Sequence, residues 1–213
     1  MPNFGRTGLC EAQKLMFKRG FKTWCDQTAE ATRKQRRLAT WEPVGARLLA
    51  VELQCILITP SDLPTLDKNI ADRLVSTHSD IWSAITIAND PPVIVFNPSH
   101  SPARQNSDLM HEIAHLLMEH KPGTVYIDPR TQMALRHYDP EQEEQANWLA
   151  ACLLLPRAAL LRIKEQGTDE ADACRLYNVS LKMLRFRMNA SGVNLQYSRR
   201  RTFGAAAQSA DRV

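Results

Sequence analysis

The stretch "DLMHEIAHLLMEH", residues 108–120, constrains this chain more than any other. Residues 102–120 read as a helix, stopped by Pro122 and Gly123. Side chains four residues apart on a helix project from one face, about one turn apart. His111 and His115 can therefore offer two imidazole nitrogens to a single ion. Glu112 sits on the flank of that face, where a carboxylate can reach a metal-bound water. This is the logic of H-E-x-x-H: two zinc ligands and a general base. The pattern is short, and Ile113, Ala114, Leu116, Leu117 and Met118 would equally suit a core helix whose histidines hydrogen-bond locally.

A catalytic zinc needs a third protein ligand and an open position for water. The segment "EQEEQANWLAACLLLP", residues 141–156, reads as a second helix ended by Pro156. Its apolar stripe runs Ala146, Leu149, Ala150, Leu153, and one step of three back along it is Glu143. A carboxylate on a buried stripe is costly unless it is paired or metal-bound. Glu143 is thus the candidate third ligand, with Glu144 and Glu141 as alternatives. Complementarity to the helix dipole is the competing explanation of Glu143. Asn147, on the same helix, could orient a ligand from outside the coordination sphere or simply pack.

The rest of the pattern indicates an α+β fold, with helices, a small sheet, then more helices. Residues 11–39 read as a basic helix containing Leu15, Phe21 and Trp24. The segment 43–59 reads as a core helix, with "CILIT" as an extended alternative, and "LDKNIADRLVST" as a short amphipathic helix. "WSAITIAND" and "PPVIVFNPS" are β-rich runs around a turn signal, so a hairpin or neighbouring strands are expected. The prolines suit an edge strand, and an edge beside the metal helix could receive an extended substrate by strand addition. Residues 121–140 form a long polar connection. Two further helices, about 158–175 and 180–190, flank the turn "YNVS". The expected organisation is a basic helical extension over 1–40, one domain over 41–195 and a basic disordered tail over 196–213.

Charge and cysteine usage bound the function. The net charge of +4 is uneven: residues 1–40 carry nine Lys/Arg against Glu11, Asp26 and Glu30. Arg199, Arg200, Arg201 and Arg212 follow at the other end. Basic ends can meet nucleic acid or an acidic partner, or be no more than solvated faces and a loose tail. The five cysteines are scattered without a C-x-x-C pair, which argues against a disulfide framework and a thiolate zinc knuckle. They read as small apolar fillers in a reducing, cytoplasmic compartment. No run approaches the length of a membrane span, and the N-terminus lacks the pattern of a secretory signal, so no membrane association is expected.

Three motifs in order, "RQNSDLMHEIAHLLMEH", "EEQANWLAACLLLP" and "LYNVSLKMLRFRMNASGV", make the chain resemble the ImmA/IrrE family of zincin metallopeptidases over about residues 45–193. Arg104 matches an Arg that precedes H-E-x-x-H in that family. Glu143, Ala146, Asn147, Leu149, Ala150 and Leu153–Pro156 match its second motif, and Val179, Ser180, Arg187 and Met188 its last. The resemblance implies a zincin-like domain with Zn²⁺ held by His111, His115 and Glu143, and Glu112 as catalytic base. It also implies a protein substrate, a DNA-binding repressor whose cleavage derepresses mobile-element or stress genes. Two departures stand out: "HEIAH" where the family often has H-E-L-G-H, and Ser107–Asp108 where it has Phe-Thr, close to His111.

Oxyanion stabilisation would need one donor besides the metal, and Tyr126, His137, Tyr138 and His120 are candidates. Two other readings stand beside peptidase activity. One is DNA binding by the C-terminal helices, which look like a helix–turn–helix with Ser180 as an N-cap; Leu181, Leu184 and Met188 instead suggest a packing stripe. The other is a non-proteolytic zinc-binding regulator or toxin–antitoxin component, against which an intact Glu112 argues.

Overall fold

A computed structural model describes residues 19–87, 90–121 and 139–200, together with the backbone of 125–127 and 134–136. The chain runs α1 (Phe21–Gln35), α2 (Ala46–Glu52), β1 (Ile56–Ile58), α3 (Lys68–Val75), β2 (Ala84–Ile87), β3 (Val93–Phe96) and α4 (Pro102–Leu117). It continues through β4 (Val125–Ile127), β5 (Ala134–Arg136), α5 (Pro140–Leu154), α6 (Arg157–Gln166), α7 (Glu170–Tyr177) and α8 (Leu181–Ala190). The expected α+β arrangement is what the chain adopts: mostly helical, with a small sheet beside α4.

That sheet has the order β1-β3-β2. β1 runs parallel to β3, with Ile56 opposite Val93, while β2 runs antiparallel, with Ala84 opposite Phe96 and Ile87 opposite Val93. "PPVIVFNPS" is therefore the central strand, not an edge. Pro91 and Pro92 fall before the ladder and Pro98 after it, where no N–H is needed. "WSAITIAND" is the edge that lies against α4. β4 and β5 form a separate antiparallel pair.

Helix α5 is the axis of the core. The stripe Ala146, Leu149, Ala150 and Leu153 is buried, and so are Ala151, Cys152, Leu154 and Leu155. One apolar face was expected; the second half of the helix is covered all round. The cover comes from α1, through Phe21, Cys25 and Ala29, and from α4, through Leu109, Met110, Ile113 and Ala114. Alanines at 146 and 150 let neighbouring helices approach closely. Cys25, Cys55 and Cys152 are buried free thiols within this core.

Pro156 ends α5 and leaves terminal carbonyls without helical donors. Two buried arginines supply them. Arg33 of α1, 0% exposed, donates from Nη2 to Leu153 O at 2.8 Å and from Nε to Glu42 O at 2.7 Å. Arg187 of α8 donates from Nε to Leu155 O at 3.1 Å and from Nη2 to Asp26 Oδ1 at 3.2 Å. Burial lowers the Arg33 pKa to about 10, which leaves it charged near neutrality. Part of the basic character of α1 is thus structural and not a solvated face.

Other boundaries also differ from expectation. The segment 43–59 divides: α2 ends at Glu52, Gln54 turns the chain at φ 58°, and β1 follows. The single helix expected over 158–175 is two, α6 and α7. Gly167 closes α6 in the left-handed conformation at φ 63°, and Asp169 caps α7 by accepting from Ala171 N–H. In α8, Leu184 and Met188 pack inward while Leu181 is exposed, so the proposed packing stripe holds at two of its three positions.

Candidate metal centre

The two helices that carry the motif residues lie side by side, and their caps set the register. Ser101 accepts from Arg104 N–H at 3.3 Å and Pro102 occupies the first position of α4, where a missing N–H costs nothing. Asp139 accepts from Glu141 N–H at 3.0 Å, and Pro140 opens α5. Glu143 then faces α4 within the first turn of α5. His111 Nε2 lies 3.0 Å from Glu143 Oε2 and 3.0 Å from His115 Nε2, and His115 Nε2 lies 3.6 Å from Glu143 Oε1. One ligand atom from each residue falls within 4.8 Å of the others.

The donor set fits a divalent ion. Ligand bonds of about 2.0–2.1 Å at tetrahedral angles separate neighbouring donor atoms by about 3.3 Å, and the observed separations bracket that value. His111 Nδ1 donates to Asn147 Oδ1 at 3.0 Å, so Nε2 of the neutral ring presents its lone pair to the cluster. Lone pairs and a carboxylate packed this closely repel; a proton satisfies one pair, whereas a cation satisfies all three. The side chains of His111, His115 and Glu143 are about one-fifth exposed, at 20%, 18% and 20%. His111 and Glu143 line a cleft of about 340 Å³ to which Ala84, Asp108, Glu112 and Asn147 also contribute. A larger, more open hollow of about 620 Å³ beside Arg157, Arg199 and Arg200 contains none of these ligating groups.

Glu112 is buried at 8% exposure, and its Oε2 accepts from Thr86 Oγ1 at 2.5 Å. The edge strand β2 therefore grips the carboxylate beside the cluster. Thr86 carried no sequence signal; it is a single hydroxyl on a short strand far from the motif. Asp108, at the departure from the family pattern, engages His100 Nδ1 at 2.7 Å and lies 3.9 Å from Arg104 Nε.

Of the alternative ligands, Glu141 is exposed and accepts from Gln145 Nε2 at 3.0 Å. His120 does not stand free to stabilise an oxyanion. Its Nδ1 meets His115 Nδ1 at 2.9 Å and its Nε2 meets Gln145 Oε1 at 3.1 Å. Burial holds its pKa below the ordinary histidine value. His137, Tyr138 and the side chain of Tyr126 lie outside the described residues.

Residues 62–189 match the peptidase family M78, described as the IrrE N-terminal-like domain. The chain belongs to that family. The match covers α3 through α8, and so both helices of the centre, while α1 and α2 precede it. Membership makes this a peptidase-family domain of zincin-like α+β architecture, and it supports a metallopeptidase acting on protein. No curated protein matches the chain. Among the described residues, no single helix is long and apolar enough to cross a membrane.

Proposed function

We propose that this IrrE N-terminal-like domain is a zinc-dependent endopeptidase. In this reading His111, His115 and Glu143 hold the metal and Glu112 is the general base. The observation that carries it is the convergence of three lone-pair donors, His111 and Glu143 among them lining a cleft that Glu112 also lines, in a chain of a peptidase family. When bound, zinc supplies Lewis acidity and lowers the pKa of a coordinated water toward about 7.

The chain's own residues supply the remaining steps. Asn147 holds the His111 ring so that Nε2 faces the centre. Thr86 fixes one oxygen of Glu112, leaving the other to accept the proton of the attacking water and pass it to the leaving amine. β2 is at the end of its sheet, so an extended substrate can pair with its outer edge and bring a peptide carbonyl into the cleft. The proposed catalytic unit is residues 41–195, with α1 of the basic 1–40 segment laid along α5.

The proposed substrate is a DNA-binding repressor, which makes the enzyme a cytoplasmic regulatory protease of a mobile element or stress response. This part rests on the family resemblance and on the place of β2 at the end of its sheet. The test is incubation of the zinc-loaded protein with the repressor-type protein encoded beside it. Wild type should produce discrete fragments, and Glu112→Gln should retain zinc and produce none. Equal cleavage by Glu112→Gln would remove Glu112 from the role of base.

A further inference from the structure

Beyond the ligands, a line of polar side chains leads away from His115 through His120 and Gln145 to Glu141. We propose that His120 is a positioning residue, one that sets His115 in the tautomer whose Nε2 lone pair points into the metal centre. The proposal rests on the metal-centre reading above.

Three consecutive contacts define the line. Gln145 Nε2 donates to Glu141 Oε1 at 3.0 Å. Gln145 Oε1 lies 3.1 Å from His120 Nε2, and His120 Nδ1 lies 2.9 Å from His115 Nδ1. Direction follows from its far end. A carboxylate only accepts, so Gln145 must turn its amide NH₂ toward Glu141 and its carbonyl toward His120. His120 then carries its hydrogen on Nε2. In the neutral ring Nδ1 is left as an acceptor, and the only hydrogen that can fill the short contact to His115 is on His115 Nδ1. That leaves Nε2 of His115 bare, 3.0 Å from His111 Nε2 and 3.6 Å from Glu143 Oε1. Each contact in the line then pairs one donor with one acceptor, and the line ends on the Nε2 lone pair of His115 at the ligand cluster.

The backbone shows how His120 reaches this place. Met118 caps α4, Glu119 adopts φ 51°, and the N–H groups of Glu119 and His120 donate to Leu116 O at 3.1 Å and His115 O at 3.0 Å. This paired closure brings the second residue beyond the cap over the residue three positions before the cap, a contact usually made by apolar side chains. Here it is made by two imidazoles, His120 and His115, whose ring centroids are 4.9 Å apart. Metal-binding histidines ordinarily donate their second ring N–H to a carboxylate or carbonyl. In this chain a histidine and a glutamine extend that link to the carboxylate of Glu141, one turn of α5 before Gln145.

Two measurements test the proposal. The first is zinc affinity, by competition with a chromophoric chelator, for wild type, His120→Leu and His120→Asn, with thermal unfolding of each metal-free protein. Asn can place its side-chain oxygen near the site of Nδ1 and accept from His115. His120→Leu should bind zinc about 10–100-fold more weakly, and His120→Asn should recover most of that loss even if both unfold at the same temperature. The second is ¹⁵N NMR of the imidazoles of wild type, metal-free and zinc-loaded. It should find His115 protonated on Nδ1 and His120 on Nε2 in both forms. Wild-type affinity in His120→Leu, or a hydrogen on His115 Nε2 in the metal-free protein, would overturn the proposal. Wild type that takes up no zinc would instead overturn the metal-centre reading, with the tautomers still deciding the hydrogen-bond line.

Discussion

At the scale of single residues, the site depends on atoms held in one chemical form. His111 and His115 bring nitrogens to one point because they are a helical turn apart, but spacing alone does not select which nitrogen faces inward. Asn147 makes that selection for His111 at 3.0 Å. Thr86 does the comparable work for Glu112, and its loss can be tested without emptying the site. Thr86→Val keeps the shape and removes the hydroxyl; proteolytic rate should fall about tenfold, as for other partners one step removed from a metal site, while zinc content stays unchanged. A variant of unaltered rate would show that the strand does not orient the base. Helical periodicity singled out His111, Glu112 and His115 on α4 and, separately, Glu143 on the apolar stripe of α5, and the fold brings His111, His115 and Glu143 together. Periodicity could not reach Thr86, whose partner is 26 positions along the chain. Nor could it assign His120, whose position depends on one residue with positive φ.

That residue belongs to the scale of elements. Glu119 ends α4 at φ 51°, a conformation that L side chains enter at a cost and glycine does not. Glu119→Gly should therefore stabilise the protein by about 0.5–1 kcal/mol, read as a rise of about 1–4 °C in thermal midpoint for a chain of this size. A fall would mean that the Glu119 side chain makes contacts worth more than the strain. The other ends were unevenly legible. Ser101-Pro102 and Asp139-Pro140 announce α4 and α5 in the sequence, since cap and first-turn chemistry is local. The break between α6 and α7 was also written locally, as Gly167 followed by Asp169, but apolar periodicity runs on through it and hides it. β1 was obscured differently. "CILIT" is short and wholly apolar, so only pairing with β3 distinguishes strand from helix.

At the scale of the molecule, α5 is surrounded by α1, α4 and α8, and the candidate centre sits where α4 and α5 meet. Burial of α5 on every side depends on α1, which precedes the family match and whose composition suggested an appendage. Long-range contacts such as Arg33 to Leu153 O have no local signature, which is why charge alone misread part of that helix. A metal bound at the α4–α5 seam would tie together the two central helices and stabilise the whole fold by mass action, about 4 kcal/mol at a free concentration a thousand times the dissociation constant. Chelation should lower the thermal midpoint, and added zinc should restore it. Zinc per chain, measured by elemental analysis after purification in metal-replete medium, tests the account most directly. It predicts one zinc per wild-type chain, one in Glu112→Gln and none in His111→Ala. Wild type without zinc, or His111→Ala with its full complement, would contradict it.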